Sequence, residues 1–305
     1  MGDLVLVTGG AGFVGSHLVE RLLDRGYRVR VLDNLSFGRP EWVDARAELI
    51  VGDIQDLDTC RTVCEGVRGV FHAAAMSRAG PSIDAAEFCT AQNIVGTQNM
   101  LVAARDAGVK RFVYSGSSTY YGNQPGPQTE DMKPDCLNFY AMSKFAGEEL
   151  CRLFDKVFPI ECVILRYFNV YGPRQPETGA YALVLGIFLS RWVNQQTLEI
   201  HGTGDQRRDF VYVTDVADAN IAAYESDVHG TVYNVGSGSS ISIQELADLI
   251  SERQTHTDRR PGDAQVTLAD ISRTTDALHW TPKVAFADGL ETMKRIAMRE
   301  MPKMS

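Results

Sequence analysis

Through its first half the chain alternates short apolar runs with amphipathic stretches. Leu4 to Val7, Arg28 to Leu32, Leu49 to Val51, Gly69 to His72, Arg111 to Ser115 and Glu161 to Arg166 read as strands. His17 to Arg25, Asp56 to Cys64, Ala85 to Ala107 and Tyr140 to Val157 carry helical spacing between them. Such alternation predicts an α/β fold, a parallel sheet with helices on both faces. After Asn169 the rhythm breaks at Gly172-Pro173-Arg174-Gln175-Pro176, a loop signal. Beyond it Tyr181 to Trp192 and Ile243 to Arg253 read as helices, the latter capped by Ser242. Phe210 to Val213 and Val232 to Val235 read as strands returning to the main sheet, and Thr255 to Gly262 as a polar loop.

Composition narrows this picture. At 305 residues the chain can bury a large core and form two lobes. A net charge of −9 argues against a nucleic-acid partner, and any phosphate-bearing ligand must be held by local groups. No apolar run approaches the roughly 20 residues that cross a bilayer, and the first residues enter a strand without a signal-peptide pattern. Six cysteines scattered without a CxxC point to reduced thiols in a cytoplasmic protein and to no metal site.

Thr8-Gly9-Gly10-Ala11-Gly12-Phe13-Val14-Gly15 joins the first strand to the first helix. Glycines at 9, 12 and 15 permit a tight turn and close approach of backbone to a pyrophosphate, which the helix N-terminus then favours. This context makes the sheet a Rossmann doubly wound one that binds a dinucleotide. Asp33 closes the second strand, where a carboxylate takes the adenosine ribose hydroxyls and repels an added phosphate, favouring NAD over NADP. Asp53, after the third strand, is placed either to accept from the adenine amino group or to cap a helix.

Tyr140 and Lys144, four residues apart, share one helix face. A free phenol with pKa near 10 is a poor base. The Lys144 ammonium and a positive nicotinamide ring are expected to favour phenolate, so that Tyr140 accepts a proton from a substrate hydroxyl. A serine of Ser115-Gly116-Ser117-Ser118 reaching the same point from a strand end would complete a proton-transfer site.

With these features together, the chain resembles the extended short-chain dehydrogenase/reductase family, nearest its nucleotide-sugar epimerase and dehydratase branch. Arg166-Tyr167-Phe168-Asn169-Val170-Tyr171-Gly172-Pro173-Arg174 and Arg208-Asp209-Phe210-Val211-Tyr212-Val213 are also similar to that branch. The resemblance implies an NAD-binding Rossmann domain over residues 1–168, completed by about 206–236. It implies a smaller, discontinuous α+β lobe for a nucleotide sugar over 169–205 and 237–305. It implies Ser117, Tyr140 and Lys144 as catalytic residues. Around NAD it places Gly9, Gly12, Phe13, Val14, Gly15, Asp33, Asn34, Ser36, Gly38, Asp53, Ile54, Ala73, Ala74, Ala75, Asn93, Ser115, Tyr140, Lys144 and Tyr167. Around the substrate it places Ser117, Thr119, Tyr140, Asn169, His201, Arg208, Arg260, Asp263 and Thr267.

Dehydratases of this branch carry an acidic residue two positions beyond the reacting Thr, and the decarboxylases often a similar Glu. Ser118 and Thr119 stand there instead. The resemblance therefore implies a 4-epimerase that oxidises and re-reduces one carbon of a UDP-sugar. UDP-glucose/galactose and, because Thr267 is small where a tyrosine excludes N-acetyl groups, UDP-GlcNAc/GalNAc are the expected pairs. A dehydratase, decarboxylase or ketoreductase, and then a dinucleotide-sensing scaffold, are the other readings. Two departures from relatives stand out, Arg78 and Gly186; Arg78 meets an acidic sugar, a phosphate or water. A homodimer formed through the Tyr140 helix and the long helix before it is expected, with Phe145, Leu150 and Leu153 as apolar contacts.

Overall fold

The computed structural model describes residues 2–176, 182–258 and 264–300. In chain order the first half holds β1 (Leu4–Thr8), α1 (Phe13–Asp24), β2 (Arg28–Asp33), β3 (Glu48–Val51), α2 (Leu57–Cys64), β4 (Gly69–His72), α3 (Ala79–Asp84), α4 (Ala86–Thr90), α5 (Gly96–Asp106), β5 (Arg111–Ser117), α6 (Phe139–Val157) and β6 (Glu161–Tyr167). The second half holds β7 (Asn169–Tyr171), α7 (Val184–Val193), β8 (Leu198–His201), β9 (Arg207–Arg208), β10 (Phe210–Tyr212), α8 (Val213–Glu225), β11 (Thr231–Val235), β12 (Ile241–Ser242), α9 (Ile243–Asp248), β13 (Gln254–Thr257), α10 (Ser272–Leu278) and α11 (Phe286–Glu300).

Seven strands form one parallel sheet in the order β11-β6-β5-β4-β1-β2-β3. Its strands are apolar on both faces because helices cover both. In β1, Val5 and Val7 pack with Leu18 and Val19 of α1 and Val216 of α8. Leu6 points the other way, into a core with Val63 of α2 and Met100 of α5. The strand order reverses between β1 and β4, which opens a crevice at their carboxyl ends. A third core contains no strand of this sheet: Tyr171, Phe210 and Tyr212 pack there with Leu185 and Phe188 of α7 and Leu290 and Met293 of α11.

The second half departs from expectation in several places. Of the two segments expected to return to the main sheet, only β11 does so. Phe210–Tyr212 pairs with Asn169–Tyr171 in a separate two-stranded sheet, held by edge-on packing of Tyr171 against Phe210 and Tyr212. The helix capped by Ser242 has a full capping box with Glu245 but ends at Asp248 rather than Arg253. Residues 255–257, read as loop, belong to Gln254–Thr257, which pairs in parallel with β8 through hydrogen bonds that a polar segment does not announce. The long helix over 85–107 is present as α4 and α5 joined by one π-helical turn, Ala91–Val95. Helices α8, α10 and α11 went unread.

Helix α6 is fixed to the sheet by charge as well as by apolar packing. Arg166 of β6 and Glu148 of α6 are each about 1% exposed at the side chain and meet through three hydrogen bonds of 2.8–3.2 Å. The guanidinium lies 3.4 Å from the Tyr120 ring centroid, and its Nη1 donates to the Tyr121 hydroxyl at 2.9 Å. Burial raises the Glu148 carboxyl, and the hydrogen bonds and charge of Arg166 oppose that rise. Removing one partner strands the other charge in the interior. Glu148→Ala is expected to destabilise the fold by about 3–5 kcal/mol, read as a lower midpoint in urea unfolding. A Glu148→Leu, Arg166→Met double variant should recover part of that loss.

Candidate active site

The carboxyl ends of β1, β2, β4, β5 and β6 surround a cavity of about 780 Å³. Gly9, Gly12, Phe13, Val14, Gly15, Asp33, Asn34, Ser36, Gly38, Ile54, Ala73, Ala74, Ala75, Ser115, Ser117, Thr119, Tyr140, Lys144, Tyr167 and Asn169 all line it. Residues chosen for a dinucleotide and residues chosen for proton transfer thus share one space.

The glycine loop is shaped for close approach. Gly9 has φ +70°, and a Cβ there would stand 2.8 Å from the Ala74 backbone. A Cβ on Gly15 would fall 2.1 Å from the Gly9 carbonyl oxygen. Helix α1 starts at the loop with no capping side chain and no acidic residue in its first turn, so its leading N–H groups and dipole suit an anion. At the end of β2, Asp33 accepts from the amides of Ala11 at 3.0 Å and Leu35 at 2.8 Å. Burial pushes its carboxyl up from the usual range and these amides oppose the rise. The cradle fits a dinucleotide pyrophosphate, with Asp33 beside it for a ribose.

At the other end, Asn138 caps α6 by accepting from the Ala141 amide at 2.9 Å, which sets the helix's first turn against β5. Lys144 is 5% exposed, and its Nζ donates to the Ser115 carbonyl at 2.9 Å. Burial lowers its pKa to about 8. Ser117 ends β5, and its Oγ accepts from Thr119 Oγ1 at 2.9 Å and Thr119 N at 3.3 Å. Burial raises the Tyr140 phenol above its ordinary value; a hydrogen bond with Ser117 and the charge of Arg78 act against it. Among the protein's own groups, burial outweighs the nearby positive charge. The hydroxyl of Tyr167 donates to Asn220 at 2.8 Å and lies 2.9 Å from Ser115 Oγ.

Several residues expected at the ligands have protein partners in the structure. Asp53 does not line the cavity; it accepts from Asn34 at 2.8 Å and Gln92 at 3.1 Å, and the cap of α2 is Asp56. Asn93, 1% exposed, bonds both the amide and the carbonyl of Met76 and donates to Ser143 of α6 at 2.8 Å. It sits in the π-helical turn, a distortion common near functional sites. Thr267 lies outside the cavity lining, its hydroxyl accepting from Asn169 Nδ2 at 2.9 Å and the Asp209 amide at 3.2 Å. His201 and Arg208 also lie outside the lining; His201 contacts Thr257, and Arg208 donates to the Arg207 carbonyl. Gly186 is buried within α7, off the cavity. Arg260 and Asp263 lie outside the described residues.

Sequence reasoning missed Trp42, Gln92, Arg174, Gln175, Met293 and Ile296, all in the lining. Arg174 and Gln175 stood in the loop motif already noted. Their buried Nη1 and Nε2 atoms have no hydrogen-bond partner in the structure, which suits a ligand with acceptor oxygens. Met293 and Ile296 arrive on α11 and carried no local signal.

Comparison with known proteins agrees with this geometry. The model of the NAD dependent epimerase/dehydratase family matches residues 5–236. A UDP-glucose 4-epimerase of Mycolicibacterium smegmatis is 37% identical over 300 residues, covering 93% of this chain and 95% of that protein. The UDP-glucose 4-epimerase of Thermotoga maritima, solved with UDP-glucose, superposes with a TM-score of 0.94 at 31% identity, covering 98% of this chain and 100% of that one. A UDP-glucuronic acid 4-epimerase from Bacillus cereus, solved with UDP-glucuronic acid and NAD, gives 0.90 at 31% identity, covering 97% and 99%. The chain belongs to the NAD dependent epimerase/dehydratase family, and its cofactor is NAD.

Lys144 gives the site a pH signature. The unfolded chain holds this proton up to a pKa of 10.5, the folded one only to about 8. Between those values the unfolded state binds the extra proton, so stability rises with pH there, and the cost of burying the charge is fully present below about 8. Lys144→Met should be more stable than the parent at neutral pH, by on the order of 3 kcal/mol. The difference should shrink toward pH 10.5, measured by urea unfolding of both proteins across that window.

Proposed function

We propose that this member of the NAD dependent epimerase/dehydratase family is an enzyme that interconverts the C4 epimers of a UDP-hexose. One observation carries the reading. Ser117, Tyr140 and Lys144 share a cavity with the glycine loop, while the only carboxyl among the described lining residues is Asp33, already engaged by loop amides. A dehydratase or a Glu-assisted decarboxylase needs a further acid or base beside Ser117. Ser118 and Thr119 line the cavity there, and the Thr119 hydroxyl is committed to Ser117.

NAD, when bound, supplies the hydride acceptor at C4 and is restored when hydride returns to the opposite face. Gly9, Gly12 and Gly15 with the start of α1 would hold its pyrophosphate, and Asp33 its adenosine ribose. Tyr140 takes the C4 hydroxyl proton onto its phenol oxygen and later gives it back. Ser117 Oγ already accepts two bonds from Thr119, so its own proton is left to donate toward Tyr140 or the substrate oxygen. Lys144, held by the Ser115 carbonyl, adds positive charge that favours phenolate in the reacting complex. Asn169, tied to Thr267 and the Asp209 carbonyl, presents a fixed amide at the substrate side. A net oxidation or reduction would instead consume cofactor, the mark of a ketoreductase.

A homodimer is the matching assembly. Met142, Leu153 and Val157 on α6, together with Phe88 and Val95 on the preceding helix, are exposed apolar side chains. Phe145 and Leu150 are partly buried, Phe145 beside Tyr120 and Leu150 against the sheet core. Six unpaired cysteines suit a reducing compartment such as the cytoplasm.

The holoenzyme with UDP-glucose or another UDP-hexose should show C4 epimerisation by proton NMR without added NAD and without net NADH. Tyr140→Phe should lose about 10²–10⁴-fold in kcat and still carry NAD; retained activity would reject Tyr140 as the base. Light scattering at micromolar concentration should report a dimer, and Met142→Lys with Leu153→Lys should give a monomer.

A further inference from the structure

A chain of net charge −9 that takes a dinucleotide needs local donors for an anionic diphosphate. The glycine loop offers backbone amides and the dipole of α1, equivalent to about half an elementary charge. A second segment reaches the same end of α1. His17 Nε2 donates to the Pro173 carbonyl at 2.9 Å, and Arg174 Nη2 pairs with Glu20. His17 and Glu20 lie one turn apart on α1, and Phe13, one turn nearer its start, packs edge-on against His17. Phe13, Val14, Arg174 and Gln175 all line the cavity.

The two side chains of this segment are held but not satisfied. Arg174 stands at φ +67°, a region that residues with a side chain rarely adopt. Glu20 engages one amino group of its guanidinium; the other, Nη1, is buried without a hydrogen-bond partner among the described residues. Gln175 is 5% exposed. Its Oε1 accepts the Gly172 amide at 3.3 Å, which orients the carboxamide and leaves Nε2 buried and equally unpartnered. An unpaired buried N–H donor is costly. Two at consecutive positions of one cavity wall mark the place of a ligand rich in acceptor oxygens. One of them is cationic, which favours an anion over a neutral amide.

We propose that Arg174 and Gln175 form a second arm of the diphosphate site, gripping NAD together with the glycine loop. Arg174 Nη1 and Gln175 Nε2 each donate to a phosphate oxygen, and Glu20 and the Gly172 amide hold the two side chains in place for it. The arm binds and takes no part in hydride or proton transfer. It serves any hydride chemistry in this cavity, whichever sugar is turned over.

The test follows exchange of the bound cofactor. Holoenzyme carrying unlabelled NAD is mixed with excess isotopically labelled NAD, and the label held by the protein gives the rate. Gln175→Met keeps the side-chain length and removes the donor. It should exchange NAD about tenfold to a hundredfold faster, the scale of one hydrogen bond to a charged group. Gln175→Glu, which turns a like charge toward the phosphates, should exchange faster still. Arg174→Lys should fall between the parent and Arg174→Met. In competition against NAD, ADP-ribose should weaken in Gln175→Met by the same factor as NAD, because both carry the diphosphate. If NAD weakens and ADP-ribose does not, Gln175 holds the nicotinamide amide and the proposal fails. It fails too if calorimetry shows weaker UDP binding to the holoenzyme while NAD exchange stays at the parent rate, since the donors would then serve the substrate's diphosphate. Parental exchange with a lower urea midpoint assigns both residues to the fold alone and likewise overturns it.

Discussion

Glu148 has no water to hold its charge, so the guanidinium of Arg166 must. That pair sits one helical turn beyond Lys144 and two beyond Tyr140, on the face of α6 pressed against the sheet. Because the charges are buried, their separation tolerates little change, and α6 inherits a fixed depth and rotation. Tyr121 extends the constraint by accepting from Arg166 and donating to Asn234 of β11, whose side chain reaches the carbonyls of Gln128 and Asp270. One buried charge thus orders a helix, a sheet edge and two loops around the cavity.

The same rule explains why so many polar groups around the cavity brace one another. A buried amide or carboxylate must find partners, and within a packed interior the nearest partners are other parts of the chain. Asp209 accepts from the amides of Ser237, Gly238 and Ala269 and from the Ser237 hydroxyl, and so gathers three distant segments. Its backbone positions Asn169, which does reach the cavity. Asn93 does for the Met76 segment what Asp209 does for these loops. Preorganisation of this kind suits chemistry that needs a proton acceptor and a substrate oxygen held in register through two opposite half-reactions.

Burial also sets the chemistry's starting point. It raises the Tyr140 phenol and lowers the Lys144 amine, which brings the two protonation equilibria closer together. In the proposed reaction, the positive charge that ionises the phenol would come from groups gathered around it, chiefly the oxidised pyridine ring and the cations of the wall.

The alternation of apolar runs by itself determined the parallel sheet, since helix and strand periods are properties of neighbouring residues. The glycine loop and the Tyr140–Lys144 pair were legible as spacings within one turn and one helix, whereas Ser117 came from the resemblance, and the fold brings all of them to one cavity. The second half was not legible. Whether Phe210–Tyr212 joins the main sheet or pairs with Asn169–Tyr171, and whether Gln254–Thr257 is loop or strand, depend on which distant segment offers the better partner. Hydrogen bonds and packing between residues far apart in the chain leave no period to read, and only the folded structure could decide them.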